Sequence, residues 1–145
     1  MKTFKATAKK LNEGMQVEVT SAGFKMIFDE PEAMGGTNAG VNPMGAALGV
    51  IGACQTIVAF MFAKAKGIDL KGFYVDVEGD MDMNNFMGVS EGRTGFQEIR
   101  YQMHFQSDAS VEELESFAKF IEQACPVSDT MHHGTKFVNK GIVKE

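Results

Sequence analysis

The sequence is poor in cysteine, with only Cys54 and Cys125 among its 145 residues. Two cysteines are too few for the disulfide scaffold of a small secreted protein. They are also too far apart in the chain to form a C-x-x-C motif of the metal-binding or redox type. No lasting structural disulfide is expected in a reducing compartment, so each thiol has to be interpreted from its own surroundings.

The sequence also lacks a basic patch, and no leader is expected. Acidic residues outnumber lysine and arginine by 19 to 14, and the net charge of −5 argues against a nucleic-acid partner. The first residues, MKTFKATAKKLNEGMQ, contain no apolar segment of the kind found in signal peptides. We therefore expect a cytoplasmic protein.

Charge is missing altogether from one long run, Gly45–Ala63. This length is close to the minimum for a membrane span. However, the run is rich in Gly and Ala and includes Gln55 and Thr56, and other segments alternate as half-buried strands that need an apolar cover. A helix that is apolar on every side is equally typical of the centre of a soluble domain, so no membrane partner is expected.

Apolar residues alternate with period two over the N-terminal segments Phe4–Ala8, Met15–Val19 and Phe24–Phe28. Short turns separate these segments, which predicts a three-stranded antiparallel meander. The following stretch, Asp29–Pro43, is rich in Gly and predicts a loop.

The apolar run should form one long helix. Asn42 is a suitable N-cap and Pro43 a suitable first helical residue, and the helix should continue to about Lys66, with Gly67 as its stop. Two longer strands should follow, around Phe73–Glu78 and Ile99–Phe105, because their apolar residues again alternate.

A second, amphipathic helix is predicted after Ser110, which forms a capping-box pattern with Glu113. It should stop near Cys125, and the tail could add one last edge strand. The element order predicts an α+β fold in a single domain spanning residues 1–145. One small sheet cannot cover all sides of the apolar helix, so we expect a homodimer with the Gly45–Ala63 helices at its centre.

The two cysteines differ in their local sequence. Cys54 lies inside the apolar run, where free cysteine often serves only as a small hydrophobic residue. Cys125 directly precedes Pro126. If PVSDT forms a helical turn, Cys125 is its N-cap and the helix dipole would stabilise a thiolate; alternatively, Cys-Pro simply ends the preceding helix.

Two segments carry a family resemblance. NPMGAALGVIGACQT resembles the segment that holds the reactive cysteine of OsmC/Ohr proteins, a family named for osmotic induction and organic hydroperoxide resistance. FAKFIEQACPVSDT resembles the segment that holds their second cysteine. The order of predicted elements is similar as well, over essentially the whole chain.

The resemblance implies an OsmC-like fold, with antiparallel sheets packed around a long buried central helix in an intertwined homodimer. It also implies a thiol-dependent peroxidase of the oxidative stress response that uses neither metal nor other cofactor. In that scheme Cys54 attacks an organic hydroperoxide and becomes a sulfenic acid. Cys125 then resolves it as a disulfide, which a dithiol reductant reopens.

The chain departs from the family pattern near its reactive cysteine. Family peroxidases carry a glutamate after Asn-Pro that pairs with an arginine from the N-terminal strands. Here Met44 follows Asn-Pro, and no arginine precedes Arg93. Another cation would have to support a Cys54 thiolate; the candidates are Lys25, His132 and His133.

Three other interpretations use the same residues. A hydrophobic-ligand-binding or non-catalytic module would need Cys54 only for packing. A hydrolase would use a cysteine nucleophile with a histidine base and Asp129 to orient it. A zinc site would combine both cysteines with a histidine, but no ligand spacing supports it.

Overall fold

The structure is a computed structural model that describes residues 1–144, and it divides after Gly49 into two units. Each unit contains its own antiparallel sheet. The predicted α+β class is confirmed, because both units combine strands with helical segments.

The first unit contains the predicted meander. Its strands are β1 (Thr7–Lys10), β2 (Val17–Ser21) and β3 (Phe24–Phe28), which pair in that order. The turn between β2 and β3 consists of Ala22 and Gly23, both with positive φ, at 50° and 85°. Two positive φ values are what a two-residue hairpin turn needs to match the twist of its strands.

The loop after β3 is organised around a buried carboxylate. Asp29 accepts hydrogen bonds from the Thr37 hydroxyl at 2.6 Å and from the backbone N–H groups of Glu30, Thr37 and Ala39. These hydrogen bonds, led by the one from the Thr37 side chain, hold the pKa of Asp29 well below its usual value. A single carboxylate therefore fixes most of the predicted loop.

The long helix, α1, spans Pro43–Phe62. Its cap is the predicted one, since Asn42 Oδ1 accepts a hydrogen bond from Gly45 N at 2.7 Å. The α-helix ends before the predicted residue, but a 3-10 turn over Lys64–Lys66 continues it, and Gly67 follows with φ of 74°. The glycine stop is confirmed.

The second unit contains the two long strands and the remaining helices. Strand β4 (Gly72–Met81) and strand β5 (Phe96–Gln106) form a hairpin, with the short helix α2 (Met83–Phe86) in its connection. Helix α3 (Val111–Ala124) begins with the predicted capping box. Helix α4 (Pro126–His133) follows after a single residue.

The core of the second unit lies where α1, β4, β5 and α3 meet. Its fully buried aliphatic and aromatic residues are Val58, Ala59, Ala63, Ile68, Phe117 and Ile121. Close approach of α1 to β4 depends on Gly52, where an added Cβ would lie 3.4 Å from Val77 Cγ2. This packing holds α1 in place against the sheet.

Helix α1 has a second face whose large apolar side chains are exposed within residues 1–144. By length and composition it could also cross a membrane, yet Val58 and Ala59 belong to the core described above. Only 22% of its most apolar window is buried. The large exposed side chains of this face, called here the open stripe, are Val50, Ile57, Phe60 and Met61.

The expected last edge strand is not formed. Residues 134–144 adopt no regular structure and are exposed, including Phe137 and Ile142. Gly141 has φ of 98°, outside the extended region. A strand is stable only when its backbone pairs with a neighbour, and within residues 1–144 the tail has none.

Candidate thiol site

The structure brings the two predicted site residues together. Cys54 lies in the second half of α1, and Cys125 lies between α3 and α4. Both are free thiols, and they lie close enough to shift each other's pKa. Residues distant in the sequence therefore form one site within the second unit.

The N-terminus of α4 faces this pair. Cys125 is the N-cap residue, and Pro126 in the first helical position has no N–H. The next two N–H groups act on the sulfurs: Ser128 N lies 3.4 Å from Cys125 Sγ, and the Val127 N–H lowers the pKa of both thiols. The N-cap interpretation of Cys125 is thus correct. The alternative also holds, because the same residue ends α3.

Two further polar residues belong to the site, and sequence reasoning missed both. Gln55 Nε2 donates to Ser128 Oγ at 3.3 Å, and the Ser128 side chain lowers the pKa of Cys125. Gln55 is completely buried, and its Oε1 has no hydrogen-bond partner among the described residues. The available signal was the presence of an amide in an apolar run beside Cys54.

The two thiols have opposite pKa shifts. Burial raises the pKa of Cys54, and the neighbouring Cys125 raises it further, while the Val127 N–H works in the other direction. Burial alone would also raise the pKa of Cys125, but hydrogen bonds from the Ser128 side chain and N–H, from Cys54 and from Val127 outweigh it and lower the pKa. In the reduced pair, Cys125 is therefore the thiol that ionises more readily.

The candidate cations are occupied elsewhere. Lys25 pairs with Glu18 at 3.0 Å, and His133 Nδ1 lies 3.0 Å from Asp129 Oδ1. The His132 ring contacts the His133 ring edge-on. No hydrogen bond joins a cationic side chain to either sulfur in the part of the chain that the structure describes. The thiolate is held by peptide N–H groups and a hydroxyl instead.

The structure contains the acid–histidine pair that a hydrolase would need, but it does not place that histidine at a cysteine. Asp129 does orient His133 as a triad acid would orient its base. However, His133 is bonded to neither sulfur within residues 1–144, and its side chain is largely exposed. A base must reach its nucleophile to activate it, and this histidine does not. Nor does any group of three or more metal-ligating side chains occur in these residues.

A cavity of about 550 Å³ adjoins the site, because Ser128 forms part of its wall. Apolar lining comes from Ile51, Phe96, Ile99 and Met131. Tyr101 adds a phenol whose pKa is raised to about 12 by burial and by the neighbouring Glu122 carboxylate, so it remains a hydrogen-bond donor at neutral pH. The cavity can hold an organic molecule next to the thiols.

An α+β chain with two neighbouring thiols at a helix N-terminus, beside a cavity with both apolar and polar lining, defines a two-cysteine thiol protein. Its family follows from comparison with known sequences: residues 36–139 match the family model described as OsmC-like protein. The chain belongs to the OsmC-like family.

Known relatives agree with this assignment. The chain is 27% identical to a hydroperoxide reductase of Mycoplasma genitalium, over 88% of this chain and 86% of that protein. Its structure resembles the crystal structure of an OsmC-like protein from Mycoplasma pneumoniae, with a TM-score of 0.79, 28% identity and coverage of 90% and 88%. An organic hydroperoxide resistance protein from Legionella pneumophila shares the fold, with a TM-score of 0.63 at 20% identity over 90% of each chain.

Proposed function

We propose that this chain is a thiol-dependent peroxidase that reduces organic hydroperoxides, with Cys54 as the peroxidatic and Cys125 as the resolving cysteine. The observation that carries the proposal is the proximity of the two thiols at the α4 N-terminus. The relative from Mycoplasma genitalium named a hydroperoxide reductase supports the same activity.

With Cys125 ionised, the pair carries one proton and one negative charge, which is enough for the first step. Transfer of the proton from Cys54 to the neighbouring Cys125 produces a Cys54 thiolate. This thiolate attacks one peroxide oxygen and breaks the O–O bond, which leaves a sulfenic acid on Cys54. The departing alkoxide takes the proton from Cys125 and leaves as an alcohol.

The second step joins the two cysteines in a disulfide and leaves no free thiol. The Cys125 thiolate attacks the Cys54 sulfur, the S–O bond breaks, and the hydroxide takes a proton from solvent. The product is a disulfide between Cys54 and Cys125, and a dithiol reductant is required to return the pair to its starting state. No metal or other cofactor takes part.

The cavity supports the choice of substrate. Apolar residues such as Phe96 and Met131 line it beside the thiol site, so it would bind an organic peroxide by burying its hydrocarbon part. Hydrogen peroxide offers no such surface. We therefore expect organic hydroperoxides to react faster than hydrogen peroxide.

The open stripe supports a homodimer. A stripe of large apolar side chains along one helix face marks a protein contact, and in a two-fold dimer the stripe can cover its own copy. We place this dimer in the cytoplasm, where thiols remain reduced between turnovers.

A thiol count tests the proposed function. The reduced protein receives one equivalent of cumene hydroperoxide, and free thiols are then measured. Loss of both thiols is expected, together with a disulfide in the mapped peptides. Cys125→Ser should lose its one thiol as a sulfenic acid, and Cys54→Ser should retain its thiol. Two unreacted thiols in the wild-type protein would contradict the proposal and favour a ligand-binding module.

A further inference from the structure

We propose that the Cys54–Cys125 disulfide opens in one direction: the dithiol reductant attacks the Cys54 sulfur, and Cys125 leaves as the thiolate, held in that role by Ser128 and Gln55. This inference rests on the proposed function, because it assumes that the two cysteines are a redox pair. It adds the site of reductant attack and two positioning residues.

The first argument concerns the leaving group. A disulfide breaks faster at the sulfur that is better stabilised as a thiolate. Cys125 Sγ faces the Ser128 N–H at 3.4 Å, the Val127 N–H and the Ser128 hydroxyl. Cys54 has only the Val127 N–H among these donors. The surroundings therefore favour departure of Cys125 rather than Cys54.

The second argument concerns access. An attacking thiolate must approach its target sulfur in line with the S–S bond, so a buried sulfur is protected. Cys125 is completely buried, whereas Cys54 is half-buried. In the single chain, access and leaving-group stability thus favour the same direction.

Gln55 has a positioning role through Ser128. Because the Ser128 oxygen accepts a hydrogen bond from Gln55 Nε2, its own hydrogen is free to point to Cys125. The amide is completely buried in an otherwise apolar helix face, and its Oε1 has no partner among the described residues. Burial of an amide at such a cost is consistent with a role beyond packing.

Opening of the Cys54–Cys125 disulfide takes two thiol–disulfide exchange steps. A thiolate of the reductant bonds to the Cys54 sulfur, the bond between Cys54 and Cys125 breaks, and Cys125 takes the electron pair. The second thiol of the reductant, as a thiolate, then attacks the sulfur bound to Cys54. The reductant leaves as a disulfide, and Cys54 departs with an electron pair and takes a proton from solvent.

Trapping of the mixed disulfide tests the direction. The disulfide is formed with diamide, which requires no peroxidase activity, so failure of the proposed function leaves this test intact. The oxidised protein is exposed briefly to 2-mercaptoethanol and quenched with acid and N-ethylmaleimide. Tryptic cleavage at Lys64 and Lys119 separates the two cysteines. We expect the adduct on Cys54 at least tenfold more often than on Cys125; equal labelling, preference for Cys125, or failure of diamide to link the pair would overturn the inference.

Variants of the positioning residues test the mechanism behind that direction. In Ser128→Ala and Gln55→Leu, the pKa of Cys125, measured from the pH dependence of its alkylation in the folded protein, should rise by about one unit. Opening of the disulfide should slow several-fold. Ser128→Thr retains a hydroxyl and should restore both values. The control is Thr56→Val, since Thr56 Oγ1 bonds only to Gly52 O in its own helix.

A structural role alone would not move the alkylation profile, so the two explanations are distinguishable. If Gln55→Leu does not fold, Ser128→Ala and Ser128→Thr carry the test by themselves, because the threonine keeps a hydroxyl that can still accept from the buried Gln55 amide. Unchanged alkylation profiles in Ser128→Ala would overturn the positioning role.

Discussion

The open stripe predicts that the protein is a homodimer joined through α1. Ile57 is 61% exposed in the single chain and lies in the middle of α1, where a helix from a second copy would cover it. Ile57→Asp places a carboxylate at that contact. It leaves the core face of the helix unchanged, because Val58 and Ala59 on that face are untouched.

The magnitude follows from the exposed fraction. Full burial of an aliphatic side chain is worth about 1.5–3 kcal/mol, so covering the exposed part of Ile57 is worth about 1–2 kcal/mol in each protomer. A two-fold interface contains the substitution twice, which gives a loss of about 2–4 kcal/mol before the cost of burying two carboxylates is added. A loss of about 3 kcal/mol raises the Kd of the dimer roughly a hundredfold.

Sedimentation velocity over a dilution series measures this effect. The wild-type protein should sediment as a dimer, and Ile57→Asp as a single chain of 15.8 kDa at the same micromolar concentration. Val111→Asp is the matched control, since Val111 is equally apolar and 71% exposed, but begins α3, where an acidic residue is favourable. A monomeric wild-type protein, or equal dissociation of both variants, would refute the reasoning.

Three further predictions concern stability. Asp29→Asn should lower the Tm by its full amount above pH 3.8 and by progressively less as the pH falls below it, because a carboxylate with a lowered pKa stabilises the fold above its ordinary pKa and loses that effect as the pH approaches the lowered value; the exposed Asp69→Asn is the control, and a difference in Tm that stays constant far below pH 3.8 would contradict the argument. Ile121→Ala should cost about 2–5 kcal/mol in denaturant unfolding, since Ile121 is fully buried in the core; a loss below about 1 kcal/mol would be inconsistent with that packing. Gly36→Ala should destabilise the Asp29 loop, because an added Cβ would lie 1.7 Å from Glu30 O, and an unchanged Tm would show that the loop can move aside.

Much of the fold was predictable because its signals are local. The cap at Asn42, the capping box at Ser110 and the stop at Gly67 each depend on a few neighbouring residues, and all three were found where the sequence indicated. The alternation of the strands is equally local. Cys-Pro likewise predicted the N-cap at Cys125, because proline is suited to the first position of a helix.

The polar connections of the site were not predictable, because they join distant parts of the chain. Gln55 and Ser128 meet only after α4 folds against α1, and neither residue shows a pattern with the other in the sequence. Which of the two cysteines has the lower thiol pKa depends on the same contacts. The missing tail strand has a similar cause, since its alternation was visible but no described strand pairs with it.

Cys125 is the C-cap of α3 and the N-cap of α4. The ionisation state of its sulfur therefore affects the backbone at the start of α4. As a thiolate it supplies an anion to the N–H groups that begin α4. Formation of the disulfide removes that anion and leaves a neutral sulfur at the helix end. An eight-residue helix has little stability of its own, so each catalytic turnover should loosen and then retighten the segment that carries Ser128.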